Sequence, residues 1–286
     1  MSTDGSASTT SQQITRKSRS NLAIALSCLP AERKRDMISF YAFCRVLDDI
    51  ADDSQVSIPA RQHEMDRWRS GLLAGDRSIH PVMSEVLDLA EKYSFERELL
   101  VEILDGMASD LVCDRYATFG DLLAYCYKVA SAVGLVSIEI FGYRNPRCKE
   151  YAVNLGYALQ LTNIIRDVGQ DARDTGRVYL PADLMTAHGV TEEQILTGIY
   201  DENFRALMED MHQRARGYFE KTAKLLPPED RGSMIAAEMM AQVYREILEK
   251  LRKSDFRVFD QRVRLHTLRK LWILGSFFVR RIGNLW

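Results

Sequence analysis

Tyr41-Ala42-Phe43-Cys44-Arg45-Val46-Leu47-Asp48-Asp49-Ile50-Ala51-Asp52-Asp53 reads as a helix with a ladder of oxygen ligands on one side. Residues four apart share a helix face, about 6 Å apart along the axis at roughly 1.5 Å per residue. Asp48 and Asp52 therefore stack on one face, and Arg45 and Tyr41 extend the same side toward the N-terminus. A second run, Asn163-Ile164-Ile165-Arg166-Asp167-Val168-Gly169-Gln170-Asp171, repeats the pattern more than a hundred positions later, with polar groups at Asn163, Asp167 and Asp171. Clustered carboxylates repel one another unless a cation sits among them. Oxygen donors suit Mg²⁺, with Mn²⁺ as a substitute, and Mg²⁺ commonly bridges a few carboxylates to a ligand's phosphates. The expected metal ligands are Asp48, Asp52, Asn163, Asp167 and Asp171. Arg45 and Arg166 stand within the ladders, and Arg173 and Arg177 follow the second. Guanidinium groups bind diphosphate oxygens in planar, often bidentate pairs, so diphosphate is the expected anion.

The rest of the chain is helical in pattern. Its 286 residues carry only 7 Pro and 16 Gly. Apolar spacing predicts helices over 22–29, 31–53, 60–73, 81–93, 96–112, 122–141, 147 to 167 or beyond, 203–226 and 230–253. Thr118 and Thr191 are placed to cap helices, the latter in Thr191-Glu192-Glu193-Gln194. No strand-like alternation of useful length occurs. The fold class is all-α, in one domain from residue 18 to 286, preceded by a Ser/Thr-rich tail over 1–17 that reads as disordered. Apolar residues near the ladders, among them Phe40, Phe43, Val129, Val133, Leu159 and Ile164, suit a cavity for a hydrocarbon. A dry pocket of that kind protects a carbocation from water.

Other features exclude functions. The formal charge of -2 argues against a general nucleic-acid binder. There is no Gly-rich phosphate loop and no nucleotide-binding fingerprint. The five cysteines are odd in number and form no CxxC pair, so they read as reduced thiols in a cytoplasmic chain. No run of 18 apolar residues occurs, and no spanning helix is expected. The aromatic and basic segment 268–286 has two readings, a last helix packed on the core or a peripheral attachment to the inner face of a membrane. Asp110 and Asp114 also lie four apart, but nothing beside them supports a site, and a structural or surface role is expected. His188 and His212 are expected to face solvent.

The two ladders, together with Tyr125-Cys126-Tyr127-Lys128-Val129-Ala130-Ser131-Ala132-Val133-Gly134 between them and Gly176-Arg177-Val178-Tyr179-Leu180-Pro181 after them, resemble the signatures of the squalene/phytoene synthase family. The resemblance runs from about Ser18 to Leu271. It implies a helical isoprenoid-synthase bundle around a central cavity and a Mg²⁺-dependent head-to-head condensation of two prenyl diphosphates. It also implies roles. Arg45, Arg166 and Arg262 would contact diphosphate, and Gln160 and Asn163 would bind substrate beside it. Tyr41, Tyr127, Tyr179 and Tyr244 would line the site and assist proton transfer or ionisation. Ser18 and Ser20 would lie in an N-terminal flap. Asp48-Asp49-Ile50-Ala51-Asp52-Asp53 and Leu159-Gln160-Leu161-Thr162-Asn163-Ile164 are most similar to bacterial presqualene diphosphate and squalene synthases of hopanoid pathways. Farnesyl diphosphate is then the expected substrate and partner. NADPH would be needed only for a reaction carried through to squalene, and downstream isoprenoid enzymes would receive the product. A phytoene or dehydrosqualene synthase is the second enzyme reading. A helical lipid-binding protein without catalysis is the reading from another class, and two complete carboxylate sets argue against it.

Overall fold

The computed structural model describes residues 26–112 and 115–282, with side chains to Phe277. The expectations for the 1–17 tail, Ser18, Ser20 and Asp114 lie outside these residues. The helices are α1 (Ala31–Asp52), α2 (Ile58–Ala74), α3 (Pro81–Tyr93), α4 (Glu98–Ser109), α5 (Phe119–Cys126), α6 (Ala132–Phe141), α7 (Arg147–Thr175), α8 (Ala182–Ala187), α9 (Glu192–Thr197), α10 (Glu202–Leu225), α11 (Ile235–Lys253) and α12 (Thr267–Ile282). Among the described residues there is no strand, only a single isolated bridge between Arg115 and Val178.

Local chemistry sets most boundaries. Pro30 precedes α1, and Glu32 sits in its first turn, where the helix dipole favours an acid. Thr118 with Asp121, and Thr191 with Gln194, form the expected capping boxes. Two boundaries differ from the sequence expectation in ways that matter. Helix α7 continues through the polar segment 171–175 and stops only at Gly176, whose φ of 69° lets it cap the carbonyls of Ala172 and Asp171. That extension places Asp171 on the same helix as Asn163 and Asp167. Helix α11 starts at Ile235 rather than Asp230, because Pro228–Asp230 forms a separate short turn. Asp230 is almost fully buried there and accepts the backbone N–H groups of Arg144 (2.8 Å) and Asn145 (2.9 Å), pinning the α6–α7 turn.

Helix α7 is the axis of the bundle. It packs along α10 and against α6, α11, α9 and α5, while α1 packs on α3, α4, α2 and α6. The run 119–141 is one helical rod with a π-turn at Tyr127–Ser131. By length and composition it is long and apolar enough to cross a membrane, where the sequence implies no spanning helix. Its contacts are instead with α4 and α7. The π-turn meets α7 at very short range: a Cβ on Gly156 would lie 2.5 Å from Ser131 Cα, and Ser131 Oγ donates to Val153 O at 2.8 Å. Gly156→Ala is therefore expected to force two backbones apart at a cost of roughly 1–3 kcal/mol. Thermal unfolding should show a drop of several degrees.

Two histidines correct the expectation of solvent exposure. His212 is 0 % exposed, because it follows the apolar stripe of α10 formed by Met208, Met211 and Ala215. Burial lowers its pKa and keeps the ring neutral. His188 is half-buried against Asp210 at 3.2 Å. The thiols of Cys126 and Cys148 are buried and those of Cys28 and Cys44 half-buried, all four without a disulfide. Helix α12 packs on α11 through Ile273 and Phe277.

Candidate active site

A cavity of about 300 Å³ runs between α1, α4, the π-turn with α6, α7 and α11. Its lining is almost wholly apolar and includes Phe40, Tyr41 and Cys44 from α1, Val133 and Ile138 from α6, Leu155 and Leu159 from α7, and Met240 from α11. The helix directions orient it. On α1 the lining begins at Met37 and climbs toward Asp48. On α7 it begins at Tyr151 and climbs toward Asn163. Phe141 and Tyr151 flank the α6–α7 turn, so they and Met37 close the end remote from the acids. All three are buried, and Tyr151 donates its hydroxyl to Glu238 at 2.8 Å. Burial, with Asp48 beside it, pushes the Cys44 thiol up to about 12, so it lines the cavity as an inert neutral group.

The mouth carries both ladders. On α1, Arg45 pairs with Asp48 at 2.7 Å and with Asp49 at 2.5 Å. Burial and then the charge of Asp52 raise the Asp48 pKa, against the pull of Arg45. On α7, Arg166 donates Nε to Asp167 Oδ1 at 2.9 Å, and Arg262 reaches the same oxygen from the loop before α12 at 3.2 Å. Burial opposes the charge on Arg166, but its bonds to Asp167 and to the Tyr244 hydroxyl outweigh that and raise its pKa. Gln160 Oε1 accepts from Asn163 Nδ2 at 3.3 Å. The Asp171 pKa is raised to about 7 by burial and by Asp167, despite Arg177, Arg166 and Arg262 nearby.

Arg177 joins the walls. It is acted on by Asp52 from α1, and it acts in turn on Asp171 of α7. Its Nη2 donates to the backbone oxygen of Asp110 at 2.8 Å. Asp110, for which the sequence implies a structural or surface role, is half-buried rather than on the surface. Its carboxylate accepts the hydroxyls of Tyr125 and Tyr179, each at 3.1 Å. The rings of Tyr116, Tyr125 and Tyr179 lie 5.3, 5.9 and 5.4 Å apart, centroid to centroid. Burial raises the Asp110 pKa to about 6, partly offset by Arg177 and both hydroxyls, with Asp52 adding to the rise. Tyr179 thus meets Tyr125, not Tyr127, on Asp110. Tyr127 instead neighbours Tyr157, whose ring packs on Tyr218 of α10. The odd spacing of two tyrosines across a helix end gave no way to tell which one faces inward. Asp110→Asn keeps the shape and removes the charge that orients both hydroxyls. Turnover should fall about ten- to a hundredfold, as for other groups that orient functional side chains, with a near-normal melting temperature. Steady-state kinetics beside a thermal melt would check it.

The donors suit a divalent cation shared with a polyanion. Asn163 Oδ1 is buried and has no hydrogen-bond partner, which is costly unless something binds it. Among the described residues no three carboxylate, His or Cys side chains converge to enclose an ion by themselves. Carboxylates on two helices, Asp52 of α1 and Asp171 of α7, instead share Arg177 as a neighbour, an arrangement that phosphates could complete around an ion.

Similarity to known proteins identifies the family. Residues 15–269 match the family model described as squalene/phytoene synthase. The chain belongs to the squalene/phytoene synthase family. It is 32 % identical over 281 residues to a phytoene synthase of Arthrospira platensis, covering 92 % of this chain and 89 % of that one. It is 29 % identical over 287 residues to the 15-cis-phytoene synthase of Synechococcus elongatus, covering 94 % and 91 %. A crystal structure of a dehydrosqualene synthase in complex with ligand superposes with a TM-score of 0.85 at 27 % identity, over 97 % of both chains. The squalene synthase HpnC from Alicyclobacillus acidocaldarius shares the fold, with a TM-score of 0.77 at 21 % identity over 87 % and 94 %. This squalene/phytoene synthase family member is a prenyltransferase of the head-to-head type.

Proposed function

We propose that the enzyme joins two molecules of farnesyl diphosphate head to head to give presqualene diphosphate, as an early step toward triterpenoids. The observation that carries this reading is an apolar cavity lined by α1 and α7, the two helices whose acids Asp52 and Asp171 both face Arg177. The runs Asp48–Asp53 and Leu159–Ile164, similar to those of bacterial presqualene diphosphate synthases, favour the farnesyl substrate.

Asp48 and Asp52 on one wall, and Asn163, Asp167 and Asp171 on the other, would hold Mg²⁺. The ion supplies charge neutralisation for the departing diphosphate. Arg45, Arg166 and Arg262 now rest on carboxylates at the mouth. They are placed to turn onto diphosphate oxygens and hold the leaving group. Tyr244 steadies Arg166. When the allylic C–O bond of the first substrate breaks, the electron pair leaves with diphosphate, and the carbocation faces Tyr41 and the apolar lining. Aromatic faces attract it and the lining keeps water away. Its alkylation of the second substrate's double bond, with loss of one proton, closes the cyclopropane ring. The hydroxyls of Tyr125 and Tyr179, held by Asp110, stand near the acidic mouth to accept or relay that proton.

The curated relatives, named phytoene synthases, favour a second reading with geranylgeranyl diphosphate as substrate. One experiment separates the two. Each labelled diphosphate is incubated with enzyme and Mg²⁺, with and without NADPH, and diphosphate and lipid products are measured. Presqualene diphosphate from the farnesyl substrate without NADPH is the expected result. Product from geranylgeranyl diphosphate alone would replace this reading with the second. No diphosphate release from either would leave a lipid-binding protein.

A further inference from the structure

Helix α12 presents two different faces. Ile273 and Phe277 are buried against the bundle, while Leu268, Leu271 and Trp272 are 81, 49 and 59 % exposed. Leu268, Leu271, Trp272 and Gly275 are spaced as one helical stripe, so the exposed apolar side chains form a row along the outward side. An outward apolar row on a terminal helix is a docking surface in need of an occupant.

Charge says which occupant. From Gln261 to the C-terminus the chain has Arg262, Arg264, Arg269, Lys270, Arg280 and Arg281, and neither Asp nor Glu after Asp260. The whole chain is slightly acidic, at -2, so this segment is a local concentration of basic residues even with Arg262 and Arg269 paired to Asp167 and Glu246. Arg269 is fixed: it bonds Glu246 through two 2.8 Å contacts and lies 4.2 Å over the Trp272 ring. That clamp holds the indole outward and in place. A fixed Trp among leucines, flanked by bases on an amphipathic helix, has the composition of a segment lying in the headgroup region of an anionic bilayer.

The position fits the chemistry of the site. Arg262, five residues before α12 begins, reaches Asp167 at the mouth, and Lys250 holds Arg264 O at 2.7 Å. The outward row and the cavity mouth are therefore joined by one short, anchored loop. We propose that α12 docks this enzyme on an anionic lipid surface through Leu268, Leu271 and Trp272, with the active-site mouth beside the membrane interface.

The test uses the full chain and sedimentation with phosphatidylcholine vesicles, with and without a third of phosphatidylglycerol. Wild type should sediment with the anionic vesicles, less so at high salt, and hardly with the neutral ones. Leu268→Ser/Trp272→Ala should lose partitioning, by roughly tenfold or more for each large apolar group removed. Both positions are exposed, so the variant should fold, and its turnover on detergent-dispersed substrate should match wild type. That control keeps a failure of membrane docking distinct from a failure of the proposed reaction. Absence of vesicle binding by wild type, or binding unchanged in the double variant, would overturn the proposal. So would a dimer that the double variant dissolves in sedimentation equilibrium, since a second copy of the chain would then be the occupant.

Discussion

Asp48→Ala and Asp167→Ala are each expected to lower turnover about a hundred- to a thousandfold, and the double variant should be no worse than either alone. The non-additivity is the informative part. The two residues lie on different helices, α1 and α7. If each wall bound diphosphate separately, removing both would multiply the losses. If both grip one cation-bound diphosphate, the first deletion already breaks the unit. Folding should survive. Asp48 is partly exposed, with 45 % of its side chain open to water. Asp167→Ala leaves Arg166 without its carboxylate, so Asp167→Asn, which keeps an acceptor for the guanidinium, is the companion that separates loss of fold from loss of charge. Single-turnover diphosphate release, read beside circular dichroism, would measure both effects.

Asp171→Asn is expected to lower activity and stabilise the metal-free protein. The carboxyl has a folded pKa of about 7, well above the 3.8 of a free aspartate, because burial and Asp167 oppose its charge. A carboxyl whose pKa rises on folding binds more protons in the folded state, so it costs stability as pH climbs through that window. Below pH 4 the group is protonated in both states and the cost vanishes. Above pH 7 the cost is complete. It is about 1 kcal/mol once water's access to the mouth is allowed for. Asn carries no charge, so the variant should melt roughly 2–4 °C higher than wild type at pH 8 and equally at pH 4. Mg²⁺ with diphosphate should raise the wild-type melting point at pH 8 and leave the variant nearly unchanged. A variant that melts lower at pH 8 would mean that the Asp171 carboxylate is stabilised by its arginine neighbours rather than strained.

The ladders were legible in the sequence because their chemistry is local. Asp48 and Asp52, and Asn163 and Asp167, sit four residues apart on single helices, and one helix repeat fixes their common face. The capping boxes at Thr118 and Thr191 were legible for the same reason. Asp110 was not. It earns a role only when the end of α4 meets Tyr125 from α5 and Tyr179 from the segment after Gly176, a meeting that involves separations of 15 and 69 residues. Arg177 was noted beside the second ladder, but its place between the walls depends on where the chain goes after α7. Tyr125 and Tyr127 lie about 200° apart around the helix, so only one of them can reach Asp110, and it is Tyr125, in the regular helix before the π-turn. His212 could have been placed correctly, since Met208, Met211 and Ala215 mark its face of α10 as the buried one.

The proposed reaction requires α1 and α7 to hold one diphosphate through a shared divalent ion. The most direct measurement is a crystal grown with Mn²⁺ and a non-ionising thio analogue of farnesyl diphosphate, with anomalous scattering used to place the metal. The predicted result is manganese between Asp48 and Asp52 of α1 and Asn163, Asp167 and Asp171 of α7, bridged by diphosphate oxygens, with the prenyl chain running down toward Phe141 and Tyr151. Manganese bound by one helix alone, or an analogue lying outside the cavity, would contradict it.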